Sequence, residues 1–384
     1  MKLLKSTLLI TCFLFGAVNA EDRYAFVDNE VTLFMKNNDI SAVTVGVIEN
    51  GKIQFEKSYG TYSRENIKPV TSDSLFQIGS QTKVITSLIT LAAVEDGILR
   101  LDDNIDTLLP DLFSSIDKNT LQKITIDTLL SHRSGLPNYP KNVTRIDGDP
   151  MEGGYNESQF LTALKSTILD FEPGSKFSYS NFNYAVIGYI LSKKTGKTYE
   201  TLIDEYLHKR LGITEVYSQF QTAKSSLVVT PYRKDNRLIK TKPWEMGLLT
   251  PHGGLYASNN ALLKLMEQQI SAYQVFFKNR KASPLVSTQT SYATGLYPGL
   301  SYGYGMFEAS AELGLYPETV LWHGGDLDGF GSEYIFSPSS KVGIVLLTSS
   351  GGREFVLLGR KLMNSLLTNK ANNAMQPTAN AAAD

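Results

Sequence analysis

Residues 79–83 place a serine and a lysine three positions apart, a spacing that can set a nucleophile beside its activating base. Apolar residues follow on nearly all sides from 84 to 97, which predicts a buried helix beginning at this segment. Positions three apart share one helix face, so the Ser80 hydroxyl and the Lys83 amine should be neighbours. Burial lowers the pKa of an amine toward that of a general base. The pattern therefore predicts nucleophilic catalysis by Ser80.

Spacing alone is weak evidence, because the same pattern recurs at Ser115 and Lys118. That second copy lies in a polar stretch after Pro110, with no apolar helix behind it. The context favours Ser80 as the nucleophile and sets Ser115 aside.

A tyrosine and an asparagine two positions apart, Tyr179 and Asn181, precede an apolar helical pattern at 184–191. In a loop before a helix, alternate residues can direct a phenol and an amide into one cleft. The phenol could then transfer protons while the amide holds a substrate amide. The simpler alternative is an ordinary loop in which Asn181 caps the helix. The presence of Ser80 and Lys83 gives weight to the catalytic interpretation.

Residues 322–326 read Trp-His-Gly-Gly-Asp and lead toward a strand pattern. Paired glycines on a strand leave room for the backbone of a ligand along the strand edge. A second His-Gly-Gly, at 252–254, precedes a helical pattern and fits a turn with a helix cap. The tripeptide alone does not identify a binding site. The surrounding sequence favours the copy that begins at His323 as the one that binds a ligand.

Together these motifs resemble the serine β-lactamase and penicillin-binding-protein-like hydrolases, in particular the branch of class C β-lactamases, D-aminopeptidases and esterases. The resemblance covers most of the chain after residue 20 and is carried by the ordered segments 76–83, 129–137, 171–181, 253–256, 323–325 and 329–330. It implies that Ser80 is the acylated nucleophile and that Lys83 and Tyr179 share the acid and base work. It also implies that Asn181 binds the substrate amide.

By the same resemblance, the substrate cleft is lined by His323, Gly324, Gly325 and Asp326. The backbone N–H groups of Ser80 and Asp326 would form the oxyanion hole. The expected substrate is a small molecule or peptide carrying an ester or amide, and no cofactor or metal is expected.

One departure from the family pattern concerns the substrate. Many relatives carry Lys-Thr-Gly or Lys-Ser-Gly where this chain has His323, and the cation and hydroxyl of that motif engage a substrate carboxylate. His323 is neutral near pH 7 unless Asp326 or Asp328 raises its pKa. We therefore expect a peptidase, D-amino-acid amidase or esterase more than a true β-lactamase. The sequence shows no clear glutamate to activate water, so deacylation would use Tyr179 or Lys83.

Competing interpretations are weaker. Residues 299–303 match the nucleophile elbow of α/β-hydrolases, but a strand-like run follows where that motif needs a helix. Residues 326–329 lack the full ligand set of a calcium loop, and the four histidines have no zinc-ligand spacing. The main alternative is a catalytically silent protein that binds peptidoglycan fragments or a protein partner with the same cleft. Retention of Ser80, Lys83 and Tyr179 favours the enzyme.

Composition and the N-terminal segment indicate an exported globular protein. The chain has 384 residues, 42% of them hydrophobic, with 37 basic and 38 acidic side chains, which argues against nucleic-acid binding. Lys2 and Lys5 precede an apolar run at 8–18, which predicts a signal peptide over 1–20 and a periplasmic or secreted protein. Cys12, the only cysteine, lies in that segment, and no second membrane segment follows.

The elements that must position these residues indicate an α+β fold. Helical patterns at both ends, 26–35 and 355–367, flank strand patterns that include a hairpin turning at Asn50-Gly51. We expect an α/β lobe, about 21–110 and 286–370, with an antiparallel sheet between terminal helices. A mostly helical inserted lobe, about 111–285, would face it across a cleft in a β-lactamase/transpeptidase-like arrangement. Residues 371–384 are expected to form a disordered tail.

Overall fold

A computed structural model describes residues 23–143, 154–219 and 225–375 of the chain. The predicted signal peptide at 1–20 lies outside the described residues. Within these three ranges, no helix is both long and apolar enough to cross a membrane.

Eight antiparallel strands form the central sheet. They are β1 (Ala42–Glu49), β2 (Lys52–Gly60), β6 (Ser291–Tyr297), β7 (Leu300–Gly303), β8 (Phe307–Ala309), β9 (Val320–Leu327), β10 (Phe330–Ser337) and β11 (Val342–Thr348). Their order is β2-β1-β11-β10-β9-β8-β7-β6. A small sheet in the order β3-β5-β4 contains β3 (Leu75–Gln77), β4 (Val216–Tyr217) and β5 (Tyr256–Ser258).

The two ends of the chain meet in the central sheet. The predicted hairpin of β1 and β2 is confirmed, and both turn residues, Asn50 and Gly51, have the positive φ that a tight two-residue turn needs. Strand β1 pairs on its other side with β11, which places Val43 opposite Thr348. The sheet therefore joins residues about 300 positions apart.

Two terminal helices, α1 (Ala25–Asn37) and α12 (Arg353–Met375), cover one face of the sheet. Both were predicted from their apolar spacing, but α12 continues five residues past the expected end of the folded chain at 370. Alanine is the strongest helix former, and extending a helix costs less than nucleating one, so the Ala/Asn-rich composition at 371–375 remains helical. Residues 376–384 of the expected tail lie outside the described residues.

A second set of helices lies beyond the other face of the sheet. They are α2 (Thr82–Glu95), α3 (Ile105–Leu108), α4 (Lys118–Leu121), α5 (Ile126–Leu130), α6 (Glu157–Ser166), α7 (Asn181–Thr195), α8 (Tyr199–Ile203), α9 (Thr250–Gly253), α10 (Asn259–Asn279) and α11 (Pro284–Ser287). A π-helical turn, Asp204–Lys209, follows α8. Buried apolar side chains of these helices form one core with the inner face of the sheet.

Helix α10 lies on the sheet, although the sequence places its residues in the helical lobe. A Cβ on Gly46 of β1 would lie 2.2 Å from Leu263 Cδ1, and one on Gly343 of β11 would lie 2.2 Å from Met266 Sδ. These glycines let the helix approach the strands closely. The predicted boundary of the helical lobe at 285 is therefore wrong for α10, which packs on the sheet. The apolar face of a helix does not show in the sequence which surface that face will pack against.

Candidate active site

Ser80 lies in a short 3-10 turn, Gly79–Gln81, that leads directly into α2. Strand β9 passes close behind this turn, because a Cβ on Gly325 would lie only 1.9 Å from the carbonyl oxygen of Ile78. Ser332 on the neighbouring strand donates a hydrogen bond to the same oxygen at 2.8 Å. The turn that carries Ser80 and the sheet are thus held together.

Lys83 is fully buried, one helical turn beyond Ser80. Its nitrogen lies 2.7 Å from Asn181 Oδ1, 2.7 Å from the carbonyl oxygen of His252 and 3.2 Å from Ser80 Oγ. Burial holds the pKa of the amine well below its usual value. A neutral amine has two N–H bonds and one lone pair. Since the amide and carbonyl oxygens can only accept, both N–H bonds point to them and the lone pair faces the Ser80 hydroxyl.

Asn181 opens α7 and orients the lysine. Its side-chain oxygen accepts from Lys83, while its side-chain nitrogen donates to Asn138 Oδ1 at 2.9 Å. The alternative in which Asn181 caps the helix is wrong, because the cap is Ser180, whose hydroxyl accepts from the backbone of Asn183. The amide of Asn181 is therefore held between the amine and Asn138.

Tyr179 places its phenol near the side chain of Ser80, whose interaction with the phenol favours the ionised form. Burial raises the pKa of this phenol above its usual value, against the opposing effect of the Ser80 contact. The Lys83 nitrogen lies 4.8 Å from the centre of the Tyr179 ring. A phenol that keeps its proton at neutral pH is suited to donate it to a leaving group.

His323 lies buried beside Tyr179, with the two ring centres 6.3 Å apart. Its Nδ1 donates to the carbonyl oxygen of Gly324 at 2.7 Å, which leaves Nε2 as an acceptor. This Nε2 is buried and has no hydrogen-bond partner among the described residues. Burial is the main cause that lowers the pKa of His323 to about 3, while the Gly324 contact acts in the opposite direction. The site thus has a neutral acceptor at this position.

Asp326 follows the two glycines on β9. Its backbone nitrogen lies 3.0 Å from the point that a Cβ on Gly79 would occupy, so it reaches the turn that carries Ser80. Its carboxylate turns away to pair with Lys234 at 2.9 Å and to accept from the backbone of Gly352. Asp328 accepts from the backbone nitrogen of Lys234. These carboxylates do not raise the pKa of His323.

The sequence missed one contributor to the site. The second His-Gly-Gly lies at the end of α9, and the sequence predicts only a turn and a helix cap there. Its His252 carbonyl oxygen accepts a hydrogen bond from Lys83. A main-chain oxygen carries no residue-type signal, so only the fold could reveal it.

The nucleophile-elbow alternative is also excluded, since residues 300–303 form β7 and strand β8 follows.

Comparisons with known proteins agree with this geometry. A family model described as Beta-lactamase matches residues 27–367. A protein described as a beta-lactamase of Pseudomonas fluorescens is 25% identical over 361 residues, which cover 86% of this chain and 94% of that protein.

Solved structures share the fold at low identity. The D-alanine carboxypeptidase AmpC from Burkholderia cenocepacia superposes with a TM-score of 0.73 at 23% identity, covering 90% of this chain and 100% of that one. A class C beta-lactamase superposes with a TM-score of 0.76 at 21% identity, covering 91% and 98%. The predicted α+β, β-lactamase/transpeptidase-like fold is confirmed.

Proposed function

The chain belongs to the beta-lactamase family, and on that basis we propose that it hydrolyses esters or amides through an acyl-enzyme formed on Ser80. The observation that carries this proposal is the arrangement around Lys83. Two acceptors occupy the N–H bonds of a neutral amine and leave its lone pair for the serine hydroxyl. This is the state in which an amine removes a proton.

Acylation begins when Lys83 takes the hydroxyl proton and Ser80 Oγ forms a bond to the substrate carbonyl carbon. The carbonyl electrons move to oxygen, which the backbone N–H groups of Ser80 and Asp326 stabilise. When this intermediate collapses, the bond to the leaving group breaks and Tyr179 supplies its proton. The lysine ammonium returns a proton to Tyr179, which restores both groups. Water then attacks the acyl carbon while Lys83 takes its proton, and the bond to Ser80 Oγ breaks as Lys83 returns that proton to the serine.

The environment of His323 favours substrates without a carboxylate next to the reacting bond. A neutral imidazole that offers a lone pair cannot attract a carboxylate as a lysine would. Lys234, the cation bonded to Asp326, is already paired with that residue's carboxylate. We expect neutral esters, peptides or D-amino-acid amides to react in preference to a penicillin, whose ring carries a carboxylate.

The protein acts outside the cytoplasm in this proposal, since residues 1–20 have the pattern of a signal peptide. N-terminal sequencing of the exported protein should give a first residue of Glu21. Recovery of the uncleaved chain from the cytoplasm would overturn this part.

Intact-protein mass spectrometry tests the nucleophile. The protein is incubated with a fluorophosphonate, a short-chain nitrophenyl ester or a penicillin. Ser80→Ala is the test variant and Ser115→Ala is the matched control, because Ser115 has the same spacing to a lysine but is exposed and bonded to the Lys165 carbonyl. We expect a phosphonate adduct that disappears only in Ser80→Ala, and faster turnover of the ester than of the penicillin. A folded protein that forms no adduct would instead be a silent binding protein.

A further inference from the structure

His132 contacts both peptide neighbours of Tyr179. Its carbonyl oxygen accepts from the backbone nitrogen of Ser178 at 2.9 Å, and its Nδ1 accepts from the backbone nitrogen of Ser180 at 3.0 Å. Its imidazole also lies against the Tyr179 ring, with the ring centres 4.5 Å apart. One residue therefore fixes the main chain on each side of the tyrosine and one face of its phenol.

These contacts define the tautomer of the imidazole. The Ser180 N–H can only donate, so Nδ1 must carry a lone pair and Nε2 must carry the proton. Nε2 then donates to the Tyr302 hydroxyl at 3.2 Å. Burial is the main cause that keeps the pKa of His132 well below its usual value, which favours the neutral imidazole.

The backbone at His132 is itself unusual. The residue follows the end of α5 with a φ of 57°, a left-handed conformation that is uncommon outside glycine and is adopted mainly by asparagine, aspartate and histidine. This turn directs the imidazole inward, where it is fully buried. Because it is sealed from the cleft, His132 cannot touch a substrate and can act only through its neighbours.

We infer that His132 is a positioning residue, which holds the phenol of Tyr179 at the distance from Ser80 that proton transfer requires. The inference rests on the proposed function, in which Tyr179 supplies the leaving-group proton. Misplacement of a reacting group by about 1 Å can lower the rate about a hundredfold. The contacts that fix Tyr179 and its two neighbours should therefore influence turnover strongly.

A double-mutant cycle separates positioning from simple structural support. We expect His132→Ala to lower kcat for an alkyl ester, whose leaving group needs a proton from Tyr179, by about 10- to 100-fold with little change in KM. In a Tyr179→Phe background the same substitution should have almost no further effect, because its influence passes through the missing hydroxyl. Equal losses in both backgrounds would show that His132 merely supports the fold.

Rescue by a conservative variant provides a second kinetic readout. In His132→Asn, the amide oxygen takes the place of Nδ1 and can still accept from Ser180, and asparagine tolerates the positive φ. This variant should recover most of the kcat lost in His132→Ala. The matched control is His208→Ala, since His208 donates to the Val216 carbonyl in a different part of the fold and should leave kcat unchanged. Equal activity of the Asn and Ala variants would overturn the role of the Ser180 contact.

Amide hydrogen exchange measured by NMR keeps the inference testable without activity. In His132→Ala the amide of Ser180 loses its acceptor and should exchange at least about tenfold faster, whereas Ser178 keeps the main-chain carbonyl of residue 132. Unchanged protection of the Ser180 amide would show that His132 does not hold this segment. If Ser80 is never acylated, or if Tyr179→Phe is fully active, the proposed function fails, and the exchange result still decides whether His132 holds this segment.

Discussion

The amide oxygen of Asn181 lies 2.7 Å from the buried nitrogen of Lys83, so an uncharged acceptor stands where a carboxylate would stabilise the ammonium form. Burial can therefore lower the pKa of the lysine without opposition from a nearby negative charge. The pairing of an amide with an amine therefore suits the role of base that we propose for Lys83.

Asn181→Asp should reverse this effect. A carboxylate beside Lys83 favours the charged amine and should raise its pKa by about 1–3 units. Acylation requires the neutral amine, so the rate at pH 7 should fall and recover as the pH rises. The measurement is the pH profile of the acylation rate by stopped flow. Asn138→Asp adds the same charge farther from the amine and should shift the profile less. An equal shift in both variants would contradict the direct contact.

Lys83→Met should abolish the burst that accompanies acylation by an activated ester. Methionine fills similar space without a base, so the rate should fall by about two to four orders of magnitude. Circular dichroism should show an intact fold with some loss of thermal stability, because the Asn181 and His252 oxygens lose the donor that they share. A full burst in this variant would exclude Lys83 as the base.

Tyr179→Phe should lower the turnover of substrates with poor leaving groups by about two to four orders of magnitude. The effect should be smaller for a nitrophenyl ester, whose leaving group needs no proton. The comparison of kcat/KM for an alkyl ester and a nitrophenyl ester measures this difference. The same loss for both esters would indicate a role other than protonation of the leaving group.

Glu333→Gln should change how stability depends on pH. Glu333 is buried on β10 opposite Gly324, where burial and the Asp326 carboxylate raise its pKa from 4.5 to about 8, against the opposing charge of Arg360. The folded state therefore binds more protons than the unfolded state between these values, and stability falls as the pH rises from about 4.5 to 8.

Replacement by glutamine should remove that fall, which amounts to at most about 4 kcal/mol. Urea unfolding at pH 5 and pH 8.5 measures the difference between the variant and the natural chain. The exposed Glu312 supplies the control, since Glu312→Gln should leave the pH dependence unchanged. Identical pH dependence in Glu333→Gln would show that this carboxyl is not protonated in the folded protein.

Local signals in the sequence were sufficient for the hairpin, the terminal helices and the pairing of Ser80 with Lys83. Each depends on residues that are close in the chain, such as Asn50 and Gly51 in the turn. The same signals could not identify the groups that complete the site, because the His252 carbonyl reaches Lys83 from 169 positions away. Likewise, the apolar face of α10 was visible, but its contact with glycines on β1 and β11 depends on the assembled sheet.

His132 shows the same limit within the site. Its segment, 129–137, belongs to the family pattern, and the sequence alone favours a structural role for the histidine itself. The contacts with Ser178 and Ser180 that distinguish these roles span 46 and 48 positions. These contacts form because a turn brings the end of α5 next to the segment that precedes α7.

The pairing of β1 with β11 has a consequence for biosynthesis. A ribosome must produce about 300 further residues before the partner of the first strand exists. Until then, one edge of the opening hairpin has no strand to bond. Strand β9, which lies behind the Ser80 turn, is also made late, since it begins at Val320. Because such distant pairings form slowly, the growing chain stays open until synthesis is nearly complete. Newly made chains should therefore depend on chaperones for most of their elongation, and activity should appear only after the last strand has been added.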